Sequence, residues 1–556
     1  MFLKSIFFLL FVNENIVLSN DEVENITGEA GMSEMPLFSE CFDEIGCIEV
    51  TKEWYHPTYR PVNKKPLKRH VIKTEFLIVA VDDNDTLVFE KASANPKSIN
   101  SAGYQKESDV IIAIHDFTSD GYTGWIKHLS SSVLTKYVAN MISVDWQAGA
   151  EPPFDQAIAN ARLVALEIIA FINSLLRMGA LKDDIHLVGH GVGAHIAGYV
   201  GSRINGLKKI SALDPTGPRF QFMPEIVRLH SGCAKYVEVL HTDSFEGVSQ
   251  GTSELMGDAD FFINNAHLQP GCKELGHHSL VEIGRQELLP GQIVPGCSHK
   301  RSFKYFIESI ENRDCIFIGM RCDNYEKFSK GECNSCSTDG KYDTCITFGL
   351  LSKHSVSPNF SYFLNTADES PYCMYAYAVS IELEINDQVF NGIFEIDLHD
   401  INEKEVKLTF PNQEQKYRTY ESKSRNRYLY YARHPKLGRF KQAKVKWMKK
   451  KSVLQKFMFK KSEIPVKRIM IEPVTRGTTL TTLFKPVENG GTIEIPSGQY
   501  RLFDAYEVIS DYEPEIQETS PTSMSSLSTT TKHKKKLDFF KNTFEKLKEK
   551  AKNKKP

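Results

Sequence analysis

Residues 185–199 constrain the fold of this chain more than any other stretch. Their sequence is Ile-His-Leu-Val-Gly-His-Gly-Val-Gly-Ala-His-Ile-Ala-Gly-Tyr. The apolar run Ile185 to Val188 predicts a short buried strand, residues 189–193 predict a sharp turn, and the small residues that follow predict a closely packed helix. Glycines at 189 and 193 allow the turn to press against a neighbouring strand and helix. The stretch therefore predicts a strand, a tight turn and a helix.

This layout is that of a nucleophile elbow, G-x-S-x-G, whose strained turn presents a serine hydroxyl above the sheet of an α/β-hydrolase. The central position here is Gly191, which has no side chain. The pattern thus predicts a hydrolase scaffold that lacks its nucleophile. The alternative is an active enzyme in which position 191 carries a sequencing or allelic change.

Apolar runs and helical patterns alternate around this stretch. The strand candidates are Val110–Ile114, Met141–Asp145, Ile185–Val188, Ile210–Leu213 and Tyr236–Leu240, and residues 157–176 have apolar residues at helical spacing. Such alternation predicts a mostly parallel sheet that is covered on both faces. Active sites of these sheets lie beyond the carboxyl ends of the strands, so the loops after residues 114, 188 and 213 are the candidates.

The pattern changes near residue 372. Apolar and polar residues alternate along 377–385, and residues 393–398 and 443–448 continue in the same way. Strands of period two without long helices predict an antiparallel β-sandwich. We therefore expect an α/β domain over residues 41–371 and a sandwich over 372–508.

The ends of the chain have a different composition. Residues 1–19 are typical of a secretory signal peptide, for which a membrane anchor is the alternative, and no other stretch approaches transmembrane length. Residues 20–40 predict a flexible leader, the Ser/Thr-rich residues 509–531 a linker, and 532–556 a basic amphipathic tail, for which a disordered tail is the alternative. In a secreted chain the sequons at Asn25, Asn84 and Asn359 are candidate glycosylation sites.

Eleven cysteines in a chain with a secretory signal favour disulfides over free thiols or zinc. Cys333-x-x-Cys336 alone suggests zinc, but no second close pair supplies the other two ligands. The odd total leaves at least one cysteine outside the intrachain disulfides.

Three downstream segments, together with the elbow, resemble the animal lipase family of pancreatic, lipoprotein and endothelial lipases and secreted phospholipases A1. They are Ser-Ala-Leu-Asp-Pro-Thr-Gly-Pro at 211–218, His-Thr-Asp at 241–243 and Cys-Ser-His-Lys-Arg-Ser-Phe at 297–303. The resemblance covers residues 40 to about 508. It implies an α/β-hydrolase domain followed by a PLAT-like sandwich, a module that contacts lipid surfaces and partner proteins.

The resemblance also implies roles for individual residues. Asp214 and His299 match the family's catalytic aspartate and histidine, and Gly191 stands at the nucleophile position. The backbone N–H groups of Phe117 and Val192 match the oxyanion hole. The implied disulfides are Cys272–Cys297, which brackets the lid, and Cys41–Cys47, Cys322–Cys333 and Cys336–Cys345. Cys233, Cys315 and Cys373 have no implied partner.

Two further segments depart from the family pattern. The first oxyanion loop of the family is His-Gly-Phe, and here it is His-Asp-Phe, so we expect Asp116 to oppose an oxyanion unless its carboxylate turns to solvent. In the family's calcium loop, His230 and Cys233 replace two carboxylates, which leaves the backbone oxygens of Glu225 and Arg228. Calcium requires oxygen ligands, so we expect no calcium in this loop. We also expect no other metal ion and no cofactor.

Residues 433–468 contain fourteen Lys or Arg and one acidic residue. They favour a polyanion or anionic-membrane surface, with sulfated glycan implied by the resemblance to lipoprotein lipase; the aromatic residues Trp447, Phe457 and Phe459 among the lysines are typical of a lipid-contacting surface. A solvated sandwich edge is the alternative. The candidate contacts are Lys441, Lys444, Lys446, Lys449, Lys450 and Lys451. Export argues against nucleic acid.

The sequence therefore predicts a secreted, catalytically inactive lipase-family protein that binds lipid or a partner and docks on polyanionic surfaces. The competing hypothesis is an active secreted triacylglycerol lipase or phospholipase A1.

Overall fold

The computed structural model describes residues 38–244, 249–272, 296–312, 314–333, 336, 343–354, 356, 360–384, 388–410, 417–421, 426–432, 440–450, 463–474, 480–488 and 491–509. The predicted signal peptide, the basic tail, nearly all of the leader and linker, Asn25, Asn359 and Lys451 lie outside the described residues.

The described part of the chain contains helices and strands in an order typical of an α/β unit followed by a β unit. The helices are α1 (Arg69–Ile72), α2 (Pro96–Ser101), α3 (Gly124–Lys136), α4 (Phe154–Arg177), α5 (Val192–Arg203), α6 (Cys297–Glu311) and α7 (Tyr325–Ser329). The strands are β1 (Phe38–Phe42), β2 (Gly46–Val50), β3 (Glu75–Val81), β4 (Leu87–Ala92), β5 (Asp109–Ile114), β6 (Ala139–Asp145), β7 (Ile185–His190), β8 (Lys209–Leu213), β9 (Val237–His241), β10 (Ala259–Ile263), β11 (Ile318–Cys322), β12 (Cys345–Thr347), β13 (Ser361–Leu364), β14 (Tyr375–Leu383), β15 (Val389–Asp400), β16 (Glu405–Phe410), β17 (Arg418–Glu421), β18 (Asn426–Ala432), β19 (Phe440–Lys449), β20 (Glu463–Pro473), β21 (Leu480–Pro486), β22 (Ile493–Pro496) and β23 (Tyr500–Ile509).

The first large sheet has the strand order β12-β11-β13-β10-β9-β8-β7-β5-β6-β3-β4. Its centre, from β6 to β13, is parallel, and β3, β4, β11 and β12 add antiparallel edges. Helices α4 and α5 cover one face and α3 and α6 cover the other, so alternate residues of β5 and β7 belong to different apolar clusters. This is the predicted α/β-hydrolase architecture, with β7 next to its central strand, β8.

The sequence-based prediction that no stretch other than the N-terminus approaches transmembrane length is wrong for helix α4. The 24-residue helix is long and apolar enough to cross a membrane by composition, but 78% of its most apolar window is buried inside the protein. Its side chains pack on the sheet through residues such as Phe171 and Ile172. The helix is therefore part of the core.

The second large sheet is antiparallel, with the order β16-β15-β19-β23-β21-β20-β14-β18; β17 pairs with β15 and β22 with β20. Alternate residues of its strands, such as Val379, Ile396 and Val445, form one buried cluster, as expected of a sandwich. The opposite face of β14 is also covered, since Ala378 packs with Phe328 of α7.

The basic strand β19 contradicts two sequence-based expectations, the solvated sheet edge and the lipid-contacting position of Trp447. It pairs with β15 on one side and β23 on the other, so it is not a sheet edge. Trp447 is 1% exposed and packs against Phe394 and Tyr420 at ring-centroid distances of 5.0 and 5.5 Å. The placement of Trp447 on a lipid-contacting surface is therefore wrong: it belongs to the sandwich core.

Five disulfides join ten of the eleven cysteines. Four of them are the implied pairs Cys41–Cys47, Cys272–Cys297, Cys322–Cys333 and Cys336–Cys345, and the fifth is Cys315–Cys373. Cys333 and Cys336 belong to different disulfides, so they do not share a zinc ion. Cys233 is a buried free thiol.

The position of Trp447 yields a stability prediction. Trp447→Ala should destabilise the sandwich by about 3–5 kcal/mol, because it empties a packed aromatic site. Lys444→Ala, on the exposed face of the same strand, should change the free energy of unfolding by less than about 0.5 kcal/mol. Denaturant unfolding measures both, and equal effects of the two substitutions would contradict the burial of Trp447.

Candidate functional site

The turn between β7 and α5 has the geometry that its glycines predict. Gly191 directly precedes the first residue of α5 and has φ 55° and ψ −117°. Residues other than glycine rarely adopt this backbone conformation. A Cβ at 189 would lie 2.3 Å from the Gly193 carbonyl oxygen, and one at 193 would lie 2.2 Å from that of Ile114. Only glycine fits at these two positions.

Asp214 and His299 come together at this turn from opposite sides. Asp214 directly follows β8, His299 lies in the first turn of α6, and Asp214 Oδ2 is 2.6 Å from His299 Nδ1. The backbone N–H groups of Thr242 and Asp243 donate to Asp214 Oδ1 at 2.7 and 3.1 Å. The His-Thr-Asp segment singled out in the sequence therefore orients the carboxylate that orients His299.

Asp116 completes the site in a way that the sequence did not indicate. Its Oδ2 lies 3.0 Å from His299 Nε2, and its Oδ1 accepts a 2.7 Å hydrogen bond from the Val192 N–H. The residue is 7% exposed, so its carboxylate does not turn to solvent. It turns into the site and uses Val192, one of the two predicted oxyanion donors. The other, Phe117, lies in the same loop, where its ring packs against Phe154.

The Asp116 carboxylate occupies the space above Gly191. A Cβ built at position 191 would lie 2.2 Å from both Cγ and Oδ1 of Asp116 and 2.5 Å from Oδ2. These distances are far shorter than van der Waals contact. A side chain at 191 and the observed position of Asp116 are therefore mutually exclusive.

The charges of the site support one another. Burial opposes the imidazolium, but hydrogen bonds and charge from Asp116 and Asp214 raise the pKa of His299 to about 10. Burial likewise opposes the Asp116 carboxylate, but the hydrogen bond and charge of His299 lower its pKa. At neutral pH, His299 is thus protonated between two carboxylates and has no free lone pair with which to act as a base.

His190 is the site residue that the sequence analysis did not single out. It ends β7, and its ring lies 4.3 Å from that of His299 and 5.1 Å from that of Phe303. Burial lowers the pKa of His190 to about 3, so the ring is neutral. Its place beside Gly191 in the turn was the available signal.

The loop that resembles a calcium site does not fit that ion. His230 Nδ1 lies 3.1 Å from the Gly232 N–H that donates to it and 3.7 Å from Glu225 Oε2. Cys233 is buried with its sulfur 3.4 Å from Ser202 Oγ, and burial raises the pKa of its thiol. A neutral imidazole and a protonated thiol are poor ligands for calcium, which binds oxygen.

The charge balance around His299 yields a pH prediction. The raised pKa of His299 contributes stability that is complete below its ordinary value of 6.5 and disappears as the pH rises through about 10. The lowered pKa of Asp116 contributes stability that is complete above its ordinary value of 3.8 and disappears in acid. Asp116→Asn should therefore cost about 3–5 kcal/mol from pH 4 to neutrality, and this cost should vanish towards pH 10.

Denaturant unfolding at several pH values in metal-free buffer measures this cost. Asp85→Asn is a matched control on an exposed turn, and its effect should be small at every pH. A cost for Asp116→Asn that does not vary with pH would contradict the ion pair.

The calcium loop yields a second prediction for this site. Millimolar calcium should leave the melting temperature of the protein unchanged, because a ligand stabilises a fold only by binding to it. A saturable rise in melting temperature would show that other oxygens rebuild the loop.

Comparisons with known proteins agree with this fold. A family model described as "Lipase" matches residues 39–372. Inactive pancreatic lipase-related protein 1 of Mus musculus is 31% identical over 355 residues, 61% of this chain and 72% of the relative. Pancreatic triacylglycerol lipase of Oryctolagus cuniculus is 31% identical over 358 residues, 62% of this chain and 74% of the relative.

Among solved structures, a calcium-dependent 11R-lipoxygenase aligns with 24% of this chain and 17% of its own at 14% identity, with a TM-score of 0.15. The family match spans more than half of the chain and includes all the residues that meet at Gly191. This chain belongs to the lipase family.

Proposed function

We propose that this protein is a secreted lipase-family member that no longer hydrolyses esters and acts by binding lipid or a partner. The observation that carries the proposal is the Asp116 carboxylate, which fills the space above Gly191 and binds the Val192 N–H and His299. In this proposal Gly191 replaces the serine of the family.

The nucleophile, the general base and one oxyanion donor of ester hydrolysis are each missing or blocked. Gly191 offers no hydroxyl, the protonated His299 cannot accept a proton, and an anion already occupies the Val192 N–H. Loss of a triad nucleophile alone costs on the order of 10⁶ in turnover, and the residual rate depends on an accessible oxyanion hole. A filled hole removes the basis of that residual rate.

The relatives include triacylglycerol lipases and a protein named as inactive, and both are 31% identical to this chain. Family membership therefore does not decide between hydrolysis and its loss. The residues at the site favour loss.

Secretion and domain roles are part of the proposal. A predicted signal peptide at 1–19 and five disulfides suit an oxidising compartment. Asn84 is exposed in the turn between β3 and β4, as a glycosylation site requires. We assign residues 41–371 to the hydrolase-like domain and the sandwich at 372–508 to a PLAT-like module that contacts lipid or a partner.

The basic residues of β19 support polyanion binding only in part. Lys444 is exposed on the outer face of the sandwich. Lys441 and Lys446 are already paired with Glu403 and Glu395, at 3.1 and 3.3 Å. A polyanion must compete with these acidic residues, so we expect weak, salt-sensitive binding of sulfated glycan.

Substitution at positions 116 and 191 tests the proposal. The sequence alone suggests that Gly191→Ser restores weak activity, with its hydroxyl within reach of His299. The 2.2 Å approach of Asp116 changes this expectation, because the serine and the carboxylate collide. We expect no hydrolysis of a short-chain ester by the wild type or by Gly191→Ser, and weak hydrolysis by Gly191→Ser with Asp116→Gly.

The matched control is Asp116→Gly alone, which opens the site without supplying a nucleophile and should stay inactive. Circular dichroism must show each variant folded. Wild-type turnover equal to that of the double variant would refute the proposal and favour the active lipase or phospholipase A1. A folded but inactive double variant would mean that further residues of the cleft have changed.

A further inference from the structure

Three side chains from separate elements converge beside Gly191. Asp116 follows β5, His190 ends β7 and His299 lies in the first turn of α6. One ligand atom from each, a carboxylate oxygen and two ring nitrogens, lie within 4.8 Å of one another. All three residues are buried, and the most exposed side chain of the Asp116–His299 pair is that of Asp116, at 10%.

The spacing suits a small metal ion. Ligand atoms bound at about 2.0–2.1 Å in a tetrahedron lie roughly 3.3 Å apart. Asp116 Oδ2 and His299 Nε2 are 3.0 Å apart. His190 Nε2 lies 3.4 Å from the His299 carbonyl oxygen, which is a long hydrogen bond. Little hydrogen-bond energy is therefore lost if the His190 ring binds an ion instead.

The surroundings of His299 also suit a histidine that binds a metal ion. Its Nδ1 bonds Asp214 Oδ2 at 2.6 Å, which directs Nε2 towards Asp116 and His190. A histidine that binds a metal commonly donates its other ring N–H to a carboxylate in this way, and the bond fixes the ring orientation.

From these contacts we infer that Asp116, His190 and His299 form a zinc-type site. The metal takes the position of the proton that His299 Nε2 donates to Asp116, and that proton leaves to solvent. Two imidazole nitrogens and one carboxylate oxygen suit Zn²⁺ or Co²⁺ better than Ca²⁺ or Mg²⁺. The inference does not depend on the loss of ester hydrolysis.

A second group nearby, Asp214, Asp243 and His299, is a poorer candidate. Asp214 Oδ1 already accepts from the Thr242 and Asp243 N–H groups, and Asp243 Oδ2 accepts from the Gln250 N–H at 3.2 Å. These carboxylates are satisfied by backbone donors, so an ion there would have to break several hydrogen bonds.

Metal binding by the purified full-length chain, stripped with a chelator, tests the inference. Titration with Zn²⁺ by calorimetry and with Co²⁺ by visible absorption should give one ion per chain and the spectrum of four-coordinate cobalt, with three protein ligands and one water. His190→Phe keeps the aromatic packing but removes a ligand nitrogen. It should weaken binding at least as much as the roughly 10–100-fold that loss of an outer partner causes.

Asp116→Asn is the second ligand variant and should weaken binding similarly. His128→Ala is the matched control, since it removes an exposed histidine whose Nε2 lies 2.7 Å from Glu311, and it should change the affinity less than twofold. No saturable binding to the wild type, or binding that is lost in His128→Ala and kept in His190→Phe, would overturn the inference.

Should both ligand variants fail to fold, X-ray absorption of the Co²⁺-loaded wild type decides. Two imidazole ligands support the site, and one or none overturns it.

Discussion

Two buried carboxylates share one imidazolium at the centre of this protein, and the form of the whole site depends on that charge balance. Asp116 and Asp214 bracket His299, and three backbone N–H groups, those of Val192, Thr242 and Asp243, donate to the outer carboxylate oxygens. Buried charges persist only when they are paired and hydrogen-bonded in this way. Removal of either carboxylate would leave the cation with half of its compensation.

The position of Asp116 has a simple electrostatic reason. Val192 is the first residue of α5, so its N–H lies at the positive end of the helix dipole. Helix N-termini bind anions, and an oxyanion hole is one such site. A carboxylate supplied by the protein itself is stable there, and Gly191 leaves the room for it. The two residues therefore depend on each other: a side chain at 191 collides with Asp116, and a glycine at 116 leaves His299 Nε2 unpaired.

The sequence predicted what local patterns determine. Apolar runs placed β5 to β9 and α4 within a few residues, because buried strands and an amphipathic helix have distinct periodicities. It did not predict the role of Asp116, whose partner Val192 is 76 residues away. We expected Asp116 to repel an anion bound at the Val192 N–H, whereas the Asp116 carboxylate is itself the anion bound there. Trp447 was misplaced because it was grouped with the lysines near it in sequence, although alternation along the strand places it on the apolar face with Ala443 and Val445.

The turn at 191 keeps its backbone conformation without a side chain. Its conformation costs a residue with a Cβ about 1–3 kcal/mol, whereas glycine adopts it freely. The Gly191 N–H donates to the Leu213 carbonyl, and the Gly191 carbonyl accepts from Ala194 and Thr216. Gly189 and Gly193 hold the strand and the helix in close contact on either side. Packing and backbone hydrogen bonds alone are therefore sufficient to maintain the turn, so its geometry is evidence of the fold, and the groups that fill the space above it are the evidence of function.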